Sequence, residues 1–93
     1  MRFAWDEAKA AESLSKHRVS FEEAATVFAD ENARLKHDPD HSLKEERFIL
    51  LGFSAKARLL MVCHAYREND EVIRIISARK ATPTERKQYG SYL

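Results

Sequence analysis

Three apolar segments follow one another closely in the second half of the chain: ERFILLGF (46–53), RLLMVCHAY (58–66) and EVIRIISAR (71–79), separated by the turn-like pieces SAKA and RENDE. Each is rich in β-branched, aromatic or other apolar residues and is bounded by polar ones, the pattern of a strand. Connections this short cannot cross over a sheet, because a parallel return takes a dozen residues or more. The segments therefore read as an antiparallel meander, and the rest of the chain must cover one of its faces. A chain of 93 residues holds a single core, so one domain spanning residues 1–93 is expected.

The covering elements announce themselves by their caps. RFAW (2–5) reads as a brief edge strand, after which Asp6 caps a helix carried by the alanine-rich AKAAESLSKH. Ser20-Phe21-Glu22-Glu23 has capping-box spacing, and Phe21, Ala24, Ala25 and Phe28 then fall on one helical stripe that has to face a core. NARLKHD reads as a second edge strand, followed by the loop DPDHSLKE. Thr82-Pro83-Thr84-Glu85 joins another capping box to a proline at the first helical position, which starts a C-terminal helix in ERKQYGSYL. The order predicts an α+β fold: an antiparallel sheet with two N-terminal helices and one C-terminal helix packed on one face, the other face open. Phe21, Phe28, Ile49, Leu51, Met61, Ile73 and Ile75 are the expected core.

Composition narrows the function classes. The single cysteine, Cys63, excludes a disulfide framework and points to a reducing compartment. The first residues lack the apolar run of a secretory signal, and no run has the length of a membrane span, so a cytoplasmic protein without membrane contact is expected. Residues 1–30 hold four basic and six acidic side chains, 31–70 seven of each, and 71–93 five basic and two acidic. The basic surplus thus lies at the C-terminal end, enough to steer a short phosphate backbone. His37-Asp38-Pro39-Asp40-His41 has metal-ligand residue types, but Pro39 prevents the helical geometry that would converge the histidines. An Asp-Pro turn is expected there, with no metal and no cofactor. No Gly-rich phosphate loop and no G-x-S-x-G elbow is present.

One residue breaks the strand pattern. Arg74 stands among Val72, Ile73, Ile75 and Ile76, and an arginine is rarely buried without a partner. His64 intrudes in the same way on the neighbouring segment. With a period of two, Arg74 shares a face with Val72, Ile76 and Ala78, and His64 shares one with Leu60, Val62 and Tyr66. If Tyr66 opposes Val72, His64 lies directly across from Arg74; if Tyr66 opposes Glu71, the two point to opposite sides. The first register is favoured, since it collects Arg74, His64 and Tyr66 on one polar face and leaves Leu59, Met61, Cys63, Ile73 and Ile75 for the core.

Four blocks carry a family resemblance: F-x-W-D-E-A-K-A at residues 3–10, H-x-V-S-F-E-E-A-A-x-V-F-A-D at 17–30, D-P-D-H-S followed by E-E-R-F within 38–48, and R-I-I-S-A-R-K-A-T-x-x-E-R-x-x-Y at 74–89. Together they resemble the BrnT family of toxins over nearly the whole chain. The resemblance implies a ribonuclease toxin of a type II toxin–antitoxin pair with a RelE-like fold. It further implies an RNA substrate and neutralisation by a BrnA-type antitoxin with a ribbon-helix-helix part, through which alone DNA would be met.

The resemblance implies roles for the polar residues in RNA cleavage. Metal-independent cleavage needs the 2′-hydroxyl deprotonated, the phosphorane stabilised and the 5′-oxygen protonated. Arg74, Arg79 and Arg47 suit the second task, His64 the proton transfers, and Glu46 is an alternative base. Lys80, Arg86, Lys87 and Tyr89 would hold flanking nucleotides. The alternative is a non-catalytic module in which the same basic face only holds RNA or an acidic protein.

Overall fold

The meander is present in the computed structural model, which describes residues 1–41 and 44–90: β3 (Arg47–Phe53), β4 (Leu59–Arg67) and β5 (Val72–Lys80) pair antiparallel in sequence. Two further strands flank them, β1 (Arg2–Ala4) beside β5 and β2 (Arg34–Asp38) beside β3, giving the sheet order β1-β5-β4-β3-β2. The sheet is mixed and not wholly antiparallel, because β1 runs parallel to β5 with Phe3 opposite Ile73. A strand of three residues carries no orientation signal of its own. The Phe3 ring rests 5.3 Å from that of Phe28, on the helix-covered side of the sheet.

α1 (Glu7–His17) starts where expected, with the Asp6 carboxylate accepting from the backbone N–H of Ala8 and Lys9 at 2.8 and 3.1 Å. It ends at Arg18, whose left-handed backbone turns the chain into Val19. α2 (Phe21–Thr26) is capped by Ser20 Oγ, which accepts from Glu23 N–H at 3.0 Å. The Glu23 side chain turns instead to Ser54 and Arg58, tying α2 to the β3–β4 hairpin. α3 (Pro83–Gly90) has both halves of its box: Thr82 Oγ1 accepts from Glu85 N–H at 3.2 Å, and Glu85 accepts from Thr82 N–H at 2.8 Å.

The helices divide between the two faces. α1 and α2 cover one, where Val19, Phe21, Ala24 and Val27 pack on Leu50, Leu60, Val62, Ile75 and Ala78. α3 lies on the other, with Tyr89 against Leu51, Leu59 and Met61. The expectation that all three share a face is therefore corrected. The apolar residues at 51, 59 and 61 need their own cover, and α3 supplies it over one end only. Of the expected core, Phe21, Leu51, Met61, Ile73 and Ile75 are buried, while Phe28 and Ile49 are partly so.

Gly52 marks a close approach. A Cβ there would stand 2.9 Å from the side chains of Ala33 and Val27 and 3.0 Å from Asp30 Oδ2. Its absence lets the 3-10 turn Val27–Ala29 and Asp30 sit directly on β3. Asp30 Oδ2 then accepts from Phe53 N–H and from the Tyr89 hydroxyl, both at 2.8 Å, which links α3 to β3 and to the turn that follows α2.

Candidate functional site

The pairing of β4 with β5 changes register between Cys63 and His64. Cys63 faces Ser77, but His64 faces Ile75, so Ile76 is an extra residue without a partner on β4. Such a bulge inverts the side-chain alternation beyond it. Arg74, opposite Ala65, and Arg79, opposite Met61, consequently point to the same face. Arg47, opposite Asp38, joins them there, since the face of β3 that carries Ile49 meets Cys63. Neither register considered from the sequence occurs: Tyr66 opposes Ile73, and Arg74 shares its face with Ser77 and Arg79, not with Ile76 and Ala78.

The same shift separates His64 from Arg74. His64 is fully buried on the helix-covered side, its ring 4.8 Å from Phe28 and 5.3 Å from Tyr66. Its Nδ1–H donates to the Val62 carbonyl at 3.1 Å, which leaves Nε2 to accept from the Tyr66 hydroxyl at 3.3 Å. Burial pushes the imidazole below its ordinary value, against the hydrogen bond to Val62, so it is held neutral. The structure thus places His64 in the core and away from the arginine face.

The arginines on the open face are positioned by carboxylates. Glu45, just before β3, pairs with Arg74 at 3.0 Å and also with Arg67, two residues beyond Ala65 on β4. Glu85 in the first turn of α3 takes Arg79 in a fork, with Nη1 donating at 2.8 Å and Nη2 at 2.9 Å. That fork, together with the N–H of Thr82 and against the cost of burial, holds the Glu85 carboxyl down to about 2. Arg79 is therefore anchored at the junction of β5 and α3, with one edge of its guanidinium fixed.

Between Arg47 and Arg79 lies a depression of about 240 Å³ lined also by His17, Asp38, Cys63 and Ser77 over a floor of Ile49 and Met61. His17 and Asp38 were not singled out as catalytic candidates from the sequence. His17 comes from the last turn of α1, far from the meander in sequence, and only the packing of α1 on β5 reveals it. Asp38 stands in the stretch expected to form a plain Asp-Pro turn, and here it ends β2. His37, its neighbour, turns to the opposite face and rests against Phe48, and among the described residues no three His, Cys, Asp or Glu side chains stand so that they could hold a metal ion. Burial pushes the Cys63 thiol up despite nearby Arg47, so it is a neutral lining group. A second depression of about 330 Å³ adjoins on the same face, lined by Arg34, Lys36, Ile49, Met61 and Gln88.

The remaining candidates scatter. Lys80, Arg86 and Lys87 are exposed around the end of β5 and along α3. Tyr89 is buried, its ring 5.2 Å from Phe53 and its hydroxyl committed to Asp30. Glu46 is exposed in a separate hollow with Phe48 and Tyr66, whose side chains belong to the face opposite the arginines. Guanidiniums, an imidazole and a carboxylate around one hollow can bind a phosphodiester and move protons at it.

The family model described as the ribonuclease toxin, BrnT, of type II toxin-antitoxin system matches residues 5–85. The crystal structure of the Brucella abortus ribonuclease toxin BrnT superposes with a TM-score of 0.64 at 21% identity, covering 88% of this chain and 97% of that one. At that identity the likeness speaks for the fold. No curated protein sequence matches the chain.

Proposed function

The chain belongs to the BrnT family of ribonuclease toxins of type II toxin–antitoxin systems, and from that premise we propose that it cleaves RNA on the arginine face of the sheet without a metal ion. The observation that carries this reading is the convergence of Arg47 and Arg79 on one hollow, with Arg74 further along the same face. A 2′-oxygen attacks the adjacent phosphorus, a 2′-O–P bond forms, and the P–O5′ bond breaks. The products are a 2′,3′-cyclic phosphate and a 5′-hydroxyl. Extra negative charge gathers on the phosphorane oxygens, and two guanidiniums supply the donors that stabilise it.

The strand follows the basic residues in order. Arg79, oriented by Glu85, sits at the reacting phosphate with Arg47. Arg74 and Arg67, bridged by Glu45, hold the backbone to one side, and Lys80, Arg86 and Lys87 steer it at the other. His64 and Tyr89 support the fold from the interior and take no part in this reading, and Glu46 lies off the face. The α1–α2 cover, the twisted sheet and α3 are read as a RelE-like arrangement. The antitoxin is read as a BrnA-type ribbon-helix-helix protein, with DNA met only through it, and the toxin acts in the cytoplasm.

The test is cleavage of labelled RNA by the purified protein with and without EDTA, followed by identification of the new termini. Cleavage that survives chelation and leaves cyclic phosphates supports the reading. Tight RNA binding with no cleavage would favour the non-catalytic module instead. Among the described residues no helix is long and apolar enough to cross a membrane.

A further inference from the structure

We infer that the hollow between Arg47 and Arg79 is the catalytic centre for a phosphodiester of RNA, with His17 as the acid that protonates the leaving 5′-oxygen and Asp38 as the base that takes the 2′-hydroxyl proton. This rests on the ribonuclease reading above and adds which side chains move the protons.

The placement of His17 follows from a buried anchor. Ser13 is almost fully enclosed, and its hydroxyl lies 2.8 Å from the carbonyl of Val19 and 3.1 Å from that of Ala78, so it clamps α1 to β5. His17 is four residues further along, on the same helical stripe. It therefore hangs over the β5 segment Ser77–Arg79, at the edge of the sheet beyond the short β1, which pairs only with Val72–Arg74. Arg18 ends the helix immediately afterwards, so His17 is held in a last turn that the Ser13 clamp fixes.

Asp38 enters from the opposite side. It ends β2, three strands away from β5 in the sheet order, and faces Arg47 across the β2–β3 pair. With strands about 4.8 Å apart, β2 and β5 stand about 14 Å apart, a gap that a nucleotide phosphate and its two ribose oxygens can occupy between inward-pointing side chains. Displacement at phosphorus sets the entering and leaving oxygens roughly in line, so the acid and the base must flank the phosphate from two sides. Here one carboxylate and one imidazole do so, with the two guanidiniums between them.

Chemistry assigns which is which. A carboxylate at neutral pH can accept a proton but has none to give. An imidazole is the side chain that can carry one and release it near neutrality. Cys63 and Ser77, the other polar linings, have protons held too firmly to serve as bases. In the step, the 2′-hydroxyl proton passes to Asp38, the 2′-O–P bond forms as the P–O5′ bond breaks, and the His17 proton goes to the 5′-oxygen. The two residues end with exchanged protonation states, which solvent resets.

The experiment uses an RNA whose cleavage site has been mapped with the unaltered protein, prepared in two forms: the natural one and one with sulfur in place of the bridging 5′-oxygen at that site. A thiolate leaves without protonation, so loss of the acid is repaired by the sulfur and loss of the base is not. His17→Ala is expected to slow the natural substrate about a hundredfold or more and to recover most of that on the sulfur substrate. Asp38→Asn should be slow on both. Binding of a 2′-deoxy analogue should change less than about threefold for His17→Ala, and its thermal midpoint should stay near the wild-type value, because His17 is exposed. His17→Gln is measured alongside, and it is the variant read if the alanine form does not fold. Wild-type rates for His17→Ala, or an equal deficit on both substrates, overturn the assignment while leaving the ribonuclease reading intact. No cleavage by the unaltered protein overturns both.

Discussion

Arg74 and Arg79, an odd number of residues apart in β5, present their side chains to the same face of the sheet, because Ile76 between them has no partner on β4. In an unbroken strand residues five apart point to opposite faces. The bulge thus gathers the arginines of β5 beside Arg47 and takes Arg74 off the face of His64, which follows Leu60 and Val62 in the unbroken alternation of β4 into the core.

Arg74→Ala should fold. Glu45 keeps Arg67 as a partner when Arg74 is removed, and a partly exposed ion pair contributes at most about 1 kcal/mol. The expected loss is in RNA affinity, with the slope of log affinity against log salt falling by about one unit. A salt titration of binding to an uncleavable RNA reads it directly. Unfolding of the variant would make Arg74 a structural residue.

His64→Ala should do the reverse. Deleting a fully enclosed ring from among Phe28, Phe48 and Tyr66 leaves a cavity and strands the Tyr66 hydroxyl. A loss of about 2–5 kcal/mol is expected, as for other large-to-small core changes. Urea unfolding gives the figure, and a stable, inactive His64→Ala protein would contradict the assignment of His64 to the core.

The same histidine makes stability depend on pH. Its imidazole is held below the ordinary 6.5 by burial. Between that value and its lower folded one, the unfolded chain binds a proton that the folded chain does not, so stability falls as pH falls below about 6.5. The urea midpoint at pH 5.5 should lie below that at pH 7.5, and His64→Gln should flatten the difference. A midpoint that rises on acidification over this range would contradict the buried, neutral imidazole.

How much of this was legible in the sequence depended on the kind of signal. The meander, the Asp6 and Ser20 caps and the Thr82–Glu85 box were readable because each is a local pattern whose physics is complete within a few residues. The register of β4 on β5 was not. VIRIISAR is apolar at successive positions 72, 73, 75 and 76, so its alternation fits either face, and nothing local marks Ile76 as the extra residue. The orientation of three-residue β1 and the reach of His17 over β5 depend on contacts 60 or more residues apart, such as that of Ser13 with Ala78. The arginines read from the sequence as phosphate binders do share one face of the sheet, while the companions expected beside them depended on the unread bulge.

Gly52→Ala tests the seat of α3. A methyl group would meet Val27, Ala33 and Asp30 at 3.0 Å or less, and overpacking of this kind costs about 1–3 kcal/mol. Tyr89→Phe, which removes only the hydroxyl donated to Asp30, should cost about 0.5–1.5 kcal/mol. Thermal unfolding of both variants checks the order. A larger loss for Tyr89→Phe would mean that the Asp30 link outweighs the close approach at Gly52.

The most direct measurement of the central claim is single-turnover RNA cleavage by Arg79→Ala beside the unaltered protein, in EDTA, with thermal midpoints recorded for both. Glu85 retains its bond from Thr82 N–H in the variant, so α3 should stay seated. The account predicts a folded Arg79→Ala protein that cleaves about a hundredfold to a thousandfold more slowly, the scale on which a preorganised transition-state donor is lost. A folded variant that cleaves RNA at the wild-type rate would contradict it.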